Sequence, residues 1–232
     1  MKLLAIDTST DACSAALAIS GEIRERFELA PRRHAELILP MVEQLLREAG
    51  LRVHDLDGLA FGRGPGAFTG LRVAAGVIQG IALGTGRRVA PVSTLAALAQ
   101  QAYLNTRHPN ILSALDARMG ELYWGAFHLG EGGLVRPVQP ECVSPPEAAP
   151  VPEEGGGWVG AGPGWAVYTE VLTRRLAGRL VYIEAGDYPR AREVAILGLD
   201  AFSRGETVSA EGAVPIYLRD QVVAEVPRQG NR

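Results

Sequence analysis

A pattern of strand, aspartate, polar turn and strand occurs twice in the chain, about half its length apart. The first copy is the apolar run 3–6 followed by Asp7, and the second is the run 111–115 followed by Asp116. In each half a third strand follows, and then the order helix, strand, helix. Such alternation is typical of α/β proteins. The repetition predicts an α/β fold of two lobes, each with the order βββαβα.

The predicted lobe boundary lies between residues 108 and 109 of the 232 residues, and the last helix and tail of the second lobe are expected to pack back on the first. In the second lobe, Ser144 and Glu147 resemble a capping box that opens a short helix. The other predicted helices cover 35–49, 67–83, 94–104, 165–176 and 190–203.

Two duplicated lobes of this kind are the arrangement of the actin, Hsp70 and sugar-kinase (ASKHA) superfamily. In that superfamily, two hairpin turns face each other across a cleft and hold nucleotide phosphates. By this analogy of fold, the candidate nucleotide or phosphate residues are Asp7, Thr8, Ser9, Asp116 and Arg118. The alternative for the first turn is a polar hairpin tip that hydrogen-bonds to itself.

The helix predicted over residues 67–83 is the most unusual element. From residue 71 onward only Arg72 and Gln79 are polar. A helix that is apolar nearly all round must be covered nearly all round, and its own sheet covers one side only. Glycines recur every four residues and leave a smooth strip that another helix can approach closely. They are Gly76, Gly80 and Gly84.

The helix predicted over residues 35–49 is also apolar on more than one face. Either both helices form an intermolecular interface, or they pack on each other and on the sheet inside one domain. The interface interpretation predicts contacts by Leu37, Met41, Leu45, Leu71, Ala75, Ile78, Gly76 and Gly80. Without a partner, the same patch is expected to self-associate into a homodimer.

Composition excludes several classes of enzyme. Lys2 is the only lysine, so the chain lacks the lysine of a P-loop, of a protein kinase or of a Schiff-base enzyme. The four histidines form no H-E-x-x-H motif and no pair at helical spacing. Cys13 and Cys142 fit no metal or redox spacing. A net charge of −3 argues against autonomous binding of tRNA or DNA.

The chain is expected to be cytoplasmic. Its longest apolar stretch, residues 73–83, is interrupted by Gln79 and is too short to span a bilayer. Near the N-terminus, Asp7 stands where a signal peptide would continue its apolar core. The sequence therefore predicts no membrane segment.

Two longer motifs resemble those of a known family. Residues 64–72 read G-P-G-A-F-T-G-L-R and resemble the G-P-G-S-F-T-G-L-R signature of the bacterial TsaB (YeaZ) family. Residues 116–124 read D-A-R-M-G-E-L-Y-W and resemble its second signature. The shorter matches I-D-T-S, H-A-E and Y-L-R, at 6–9, 34–36 and 217–219, come in the expected order. The resemblance covers nearly the whole chain.

This resemblance implies an ASKHA fold and a role in forming N6-threonylcarbamoyladenosine at position 37 of tRNAs that read codons beginning with A. In that pathway the paralogue TsaD transfers the threonylcarbamoyl group to tRNA, TsaB pairs with TsaD, and the ATPase TsaE joins them. The implied partners are therefore TsaD directly, TsaE within the complex, and tRNA indirectly. ATP, Mg²⁺ and a metal are implied for these partners, and no cofactor for this chain alone.

A comparison with TsaD predicts that this chain is not catalytic. In TsaD two metal-binding histidines follow the glycine-rich helix, whereas Thr94 and Leu98 stand at those positions here. Leucine offers no lone pair to a metal, and a single threonine hydroxyl is a poor ligand. The competing hypothesis is an autonomous ASKHA-type ATPase or an M22-like peptidase. It would use Asp7, Thr8, Ser9 and Asp116.

Overall fold

The computed structural model describes residues 1–153 and 156–219. Its first sheet has five strands in the order β3-β2-β1-β4-β5. β1 pairs antiparallel with β2 and parallel with β4, so a three-stranded meander is continued by parallel crossovers. The strands are β1 (Lys2–Asp7), β2 (Ala12–Ile19), β3 (Glu22–Leu29), β4 (Gly58–Gly64) and β5 (Val89–Ser93).

The second sheet repeats this pairing. β6 is antiparallel to β7 and parallel to β10, and the order is β11-β10-β6-β7-β8, with β9 also beside β7. The two sheets with one pairing scheme form a duplicated ASKHA-like fold, as the repetition in the sequence predicts. The strands are β6 (Asn110–Arg118), β7 (Glu121–Leu129), β8 (Val135–Pro137), β9 (Cys142–Ser144), β10 (Trp158–Ala161) and β11 (Leu180–Glu184).

Five α-helices cover the sheets within the described residues. They are α1 (His34–Glu48), α2 (Phe68–Thr85), α3 (Thr94–Thr106), α4 (Pro163–Arg175) and α5 (Ala191–Ser203). α1 and α2 pack on one face of the first sheet, and α4 packs on the outer face of the second. α3 lies on the second sheet, while α5 lies on the first, and the two helices touch each other. Each half of the chain therefore supplies a helix to the other half.

The capping box predicted at Ser144 is wrong, and only one short turn of helix follows it. The chain instead forms the strand β9 and then a single 3-10 turn at Pro146–Ala148. The hydroxyl of Ser144 donates to the carbonyl of Pro145, so it does not cap a helix. Proline lacks an N–H group and restricts the residue before it, and two consecutive prolines therefore favour an extended strand here.

Each sheet is covered on both faces, and the core has three parts because the faces that meet α3 and α5 share one of them. In β1, Leu4 and Ile6 point toward α1 and α2, while Leu3 and Ala5 point toward α5. A strand buried on both faces needs apolar residues throughout, which explains why β1 and β2 show no alternation of polar residues. The third part lies between the second sheet and α4.

Within the described ranges, one helix is long and apolar enough to cross a membrane by length and composition. This helix is α2, and it includes the stretch that sequence analysis judged too short. Its inward side chains, Ala74, Ala75, Ile78 and Ala82, pack into the core between α2 and the first sheet. A third of the residues of this helix are buried.

Candidate functional site

The turn after β1 is closed by the first signature motif. Asp7, Thr8 and Ser9 are completely buried. The hydroxyl of Thr8 donates to the carbonyl of Gly70 over 2.7 Å, and the N–H of Ala67 donates to the carbonyl of Ser9, also over 2.7 Å. The loop before α2 and the first turn of α2 therefore cover the turn.

The glycines of this motif allow that close contact. A side chain at Gly66 would overlap the carbonyl oxygen of Ser9, and one at Gly70 would overlap the carbonyl oxygen of Thr8. Backbone thus meets backbone with no space for a ligand between them. Asp7, Thr8 and Ser9 are the candidate phosphate residues of the sequence analysis, but here their polar groups are buried against α2. Ser9 bonds to Asp7, as the alternative of a self-bonded turn predicts.

The carboxyl group of Asp7 is buried, and only one of its two oxygens has a hydrogen-bond partner among the described residues. Its Oδ1 accepts bonds from the N–H and the hydroxyl of Ser9, at 2.9 and 2.7 Å. Its Oδ2 is buried, has no hydrogen-bond partner, and lies directly over Gly62. Burial raises the pKa of Asp7 to about 6, although the Ser9 bonds and nearby His34 act in the opposite direction. The carboxyl group is therefore costly to ionise at neutral pH.

Asp7→Asn is expected to change how stability depends on pH. The pKa of the Asp7 carboxyl group rises from 3.8 to about 6 on folding. The resulting stabilisation of the folded state is fully present below the unfolded pKa, and it is lost as the pH rises through the folded pKa. Asparagine keeps the acceptor for Ser9 and has no charge to bury. Between about pH 3 and pH 7 the free energy of unfolding of the variant should rise by about 3 kcal/mol relative to that of the parent chain.

Urea unfolding at a series of pH values measures this difference. Burial also raises the pKa of Glu193, to about 7, but Glu193 titrates in both proteins and cancels in the comparison. Parallel pH profiles for the two proteins would contradict the prediction.

The second predicted turn is open. Arg118, Met119 and Gly120 have φ of 63°, 57° and 78° and form a left-handed hairpin tip between β6 and β7. The carboxylate of Asp116 accepts from the N–H of Arg118 at 2.9 Å and pairs with its guanidinium at 3.2 Å. Within the described part of the chain, no hydrogen bond or ion pair joins this tip to the buried turn of Asp7.

The Y-L-R match at residues 217–219 connects the two longer motifs. The hydroxyl of Tyr217 accepts from Arg72 at 3.3 Å, and the ring of Tyr217 lies 5.3 Å from that of Phe68. Two residues later, Arg219 pairs with Glu121 and donates to the carbonyl of Arg118. Sequence analysis used the Y-L-R match only for its order in the chain. Nothing in the sequence pairs residues this far apart, so this connection was missed.

Thr94 and Leu98 lie buried at the start of α3. Leu98 fills the space that a side chain at Gly162 would occupy, and the hydroxyl of Thr94 has no hydrogen-bond partner. Among residues 1–153 and 156–219, no group of three or more His, Cys, Asp or Glu side chains could hold a metal ion. One hydroxyl beside a leucine does not fit a metal ion either.

Most of the predicted interface residues lie inside the lobe. Met41, Leu45, Ala75 and Ile78 pack between α1, α2 and the first sheet, and Leu71 is buried beside Gly64, so these side chains are at most 9% exposed and offer little surface to a partner. The assignment is corrected for Met41, Leu45, Leu71, Ala75 and Ile78. Leu37 is half-buried against the same core, while Gly76 and Gly80 are exposed.

The outer face of α2 instead carries the glycine strip with large apolar residues around it. At Gly76, Gly80 and Gly84, no atom beyond the adjacent residues and the nearby backbone of α2 lies within 4 Å of the position of a Cβ atom. Phe68 is 54% exposed at one end of α2 and Leu83 is 65% exposed near the other. On α1, Leu39 is 52% exposed. These three hydrophobic residues were missed, although each lies off the buried stripe of its helix.

The glycines on this outer face lower the stability of the folded chain, and no contact among the described residues requires them. A glycine in the interior of a helix costs about 1 kcal/mol relative to alanine, and alanine would fit at all three strip positions. Without side chains, the strip lets a second helix pack closer than the usual 8–10 Å between helix axes. A glycine strip with exposed Phe68 and Leu83 is thus suited to helix packing between molecules.

The fold and its signature loops define an ASKHA-type protein of the threonylcarbamoyltransferase group. The family model described as "TsaD: tRNA N6-adenosine threonylcarbamoyltransferase" matches residues 27–225. The structure is similar to that of YeaZ from Pseudomonas aeruginosa, with a TM-score of 0.88 and 47% identity, covering 94% of this chain and 99% of that one.

Curated relatives define the family more narrowly. The tRNA threonylcarbamoyladenosine biosynthesis protein TsaB of Escherichia coli K12 is 39% identical, with 96% of both chains covered. The protein of the same name from Haemophilus influenzae is also 39% identical, with 96% of this chain and 95% of that protein covered. This chain belongs to the TsaB family.

Proposed function

We propose that this chain is a non-catalytic subunit in the biosynthesis of threonylcarbamoyladenosine at position 37 of tRNA, and that it pairs directly with TsaD. The names of its relatives support the pathway. The observation that carries the proposed pairing is the outer face of α2, where the glycine strip lies between the exposed Phe68 and Leu83.

The choice of TsaD as the partner follows from shared architecture. The TsaD family model matches most of this chain, including α1 and α2. A paralogue with the same helix pair can meet this face with its own equivalent face, in a pseudo-twofold arrangement. A second copy of this chain can do the same, which supports a homodimer when TsaD is absent.

The proposal assigns no catalytic residue to this chain. Thr94 and Leu98 are buried and suit no metal, and the turn of Asp7 is filled by the first signature loop. We therefore assign the metal, ATP and Mg²⁺ to the partners TsaD and TsaE, and we propose that tRNA is reached through the complex in the cytoplasm. The contribution of this chain is to stabilise the productive conformation of TsaD.

Light-scattering mass during size-exclusion chromatography tests the proposed pairing. The chain alone should elute as a homodimer, and an equimolar mixture with TsaD should give a heterodimer that replaces both parent species. No association at any concentration, with or without ATP and Mg²⁺, would contradict the proposal. Turnover of ATP or of a peptide by the isolated chain would favour the competing enzyme hypothesis.

A further inference from the structure

A cavity of about 520 Å³ lies where the two lobes meet, away from the α1–α2 face. The edge strands β5 and β8, together with α5, form its walls. A second cavity of about 450 Å³ adjoins it, and both are lined by Arg63, Pro137 and Glu141. Arg63 comes from the first lobe and Glu141 from the second, so two opposite charges stand at the junction of the two cavities.

The larger cavity is mainly apolar. Its size and lining resemble those of small-molecule sites, which combine apolar walls with a few polar groups. The apolar wall consists of Val92, Ala96, Phe127, Val135, Leu197 and Ala201.

Most charges around this cavity already have partners. Arg136 pairs with Asp200 at 2.7 Å. Arg204 pairs with Asp200 at 3.1 Å and with Glu206 at 2.8 Å. These four groups therefore neutralise one another on one side of the cavity.

Arg63 and Glu141 differ from those four groups. The guanidinium of Arg63 makes no hydrogen bond or ion pair with the described residues, and its Nε is buried without a partner. Glu141 accepts a bond from the hydroxyl of Ser93 through Oε1, while Oε2 has no partner among the residues that the structure describes. A buried donor and an unused carboxylate oxygen thus line one cavity.

The two groups interact without touching. Burial raises the pKa of Glu141, while the bond from Ser93 and, to a smaller degree, the charge of Arg63 lower it. Arg63 and Glu141 nevertheless form no ion pair within 4.0 Å. A simple anion would bind Arg63 and be repelled by Glu141, and a simple cation would bind Glu141 and be repelled by Arg63. A ligand that carries both charges close together satisfies both groups.

We propose that this cavity binds an α-amino acid with an apolar side chain. Arg63 would hold the carboxylate, Oε2 of Glu141 would accept from the ammonium group, and the side chain would lie on the apolar wall beside Phe127. A nucleotide is a poorer fit, because several phosphate charges would face one unpaired arginine and the carboxylates of Glu141 and Asp200. This inference does not depend on pairing with TsaD.

Isothermal titration of the full chain with L-phenylalanine tests the proposal. 3-Phenylpropionate and phenethylamine serve as ligand controls, because each has the same ring and only one of the two charges. We expect L-phenylalanine to bind at least about tenfold more tightly than either control, since losing a charged hydrogen bond costs about 1.5–3 kcal/mol.

Variants then locate the binding site. Arg63→Gln and Glu141→Gln should each weaken L-phenylalanine by about tenfold or more. Arg174→Gln, on the exposed face of α4, should change nothing. Circular dichroism confirms folding, and Arg63→Met, which keeps a long side chain without the charge, replaces Arg63→Gln if that variant is unstable. No binding of L-phenylalanine by the parent chain, equal binding of 3-phenylpropionate, or unchanged affinity in both pocket variants would overturn the proposal.

Discussion

Replacing Gly70 by alanine is expected to destabilise the chain by at least about 3 kcal/mol, which corresponds to a loss of about 6–12 °C in Tm. The added methyl group would overlap the carbonyl oxygen of Thr8. That oxygen belongs to the backbone at the end of β1, so neither partner can rotate away. Relief requires α2 to move off the sheet, which would also break the bond from the hydroxyl of Thr8 to Gly70.

Gly76→Ala is the matched control, because it makes the same change two turns later in the same helix. Nothing lies within 4 Å of its Cβ position, so the variant should be more stable than the parent chain by about 1 kcal/mol. Urea unfolding of both variants measures the two effects. Equal changes in the free energy of unfolding would show that α2 does not approach the β1 turn as closely as the structure has it.

Gly80→Arg is expected to abolish the proposed pairing with TsaD while leaving the chain folded. The arginine side chain would project from the centre of the glycine strip into space that is empty in the single chain. In a complex, it would hold the two helices apart and bury a charge without a partner. We expect an affinity for TsaD at least about 100-fold weaker, measured by titration, and the same loss of the homodimer.

Thr173→Arg, an exposed position on α4, is the control and should pair like the parent chain. Glutamate at Ala75 or Ile78 would be a poor test of the interface, because both side chains are buried and a charge there would unfold the lobe. Retained pairing by folded Gly80→Arg would contradict the assignment of this face. Loss of pairing in Thr173→Arg would show that the measurement is not specific to it.

The sequence by itself was sufficient for the order and type of nearly all elements. Apolar runs bounded by glycine, proline and aspartate predict most strands to within two or three residues, and the last helix, predicted at 190–203, is Ala191–Ser203 in the structure. These features are local, since they depend on periodicity and on the turn chemistry of neighbouring residues. The duplication and the family signatures were readable for the same reason.

Only the tertiary structure decided which side chains remain available to a partner. In α2, which is apolar nearly all round, periodicity does not say which face meets the sheet, and the buried stripe of Leu71, Ala75 and Ile78 was taken for the interface. The packing of α3 on the second sheet, and the connection of Tyr217 to Arg72, join residues far apart in the chain. Contacts of this kind depend on three-dimensional packing, which local sequence patterns do not record.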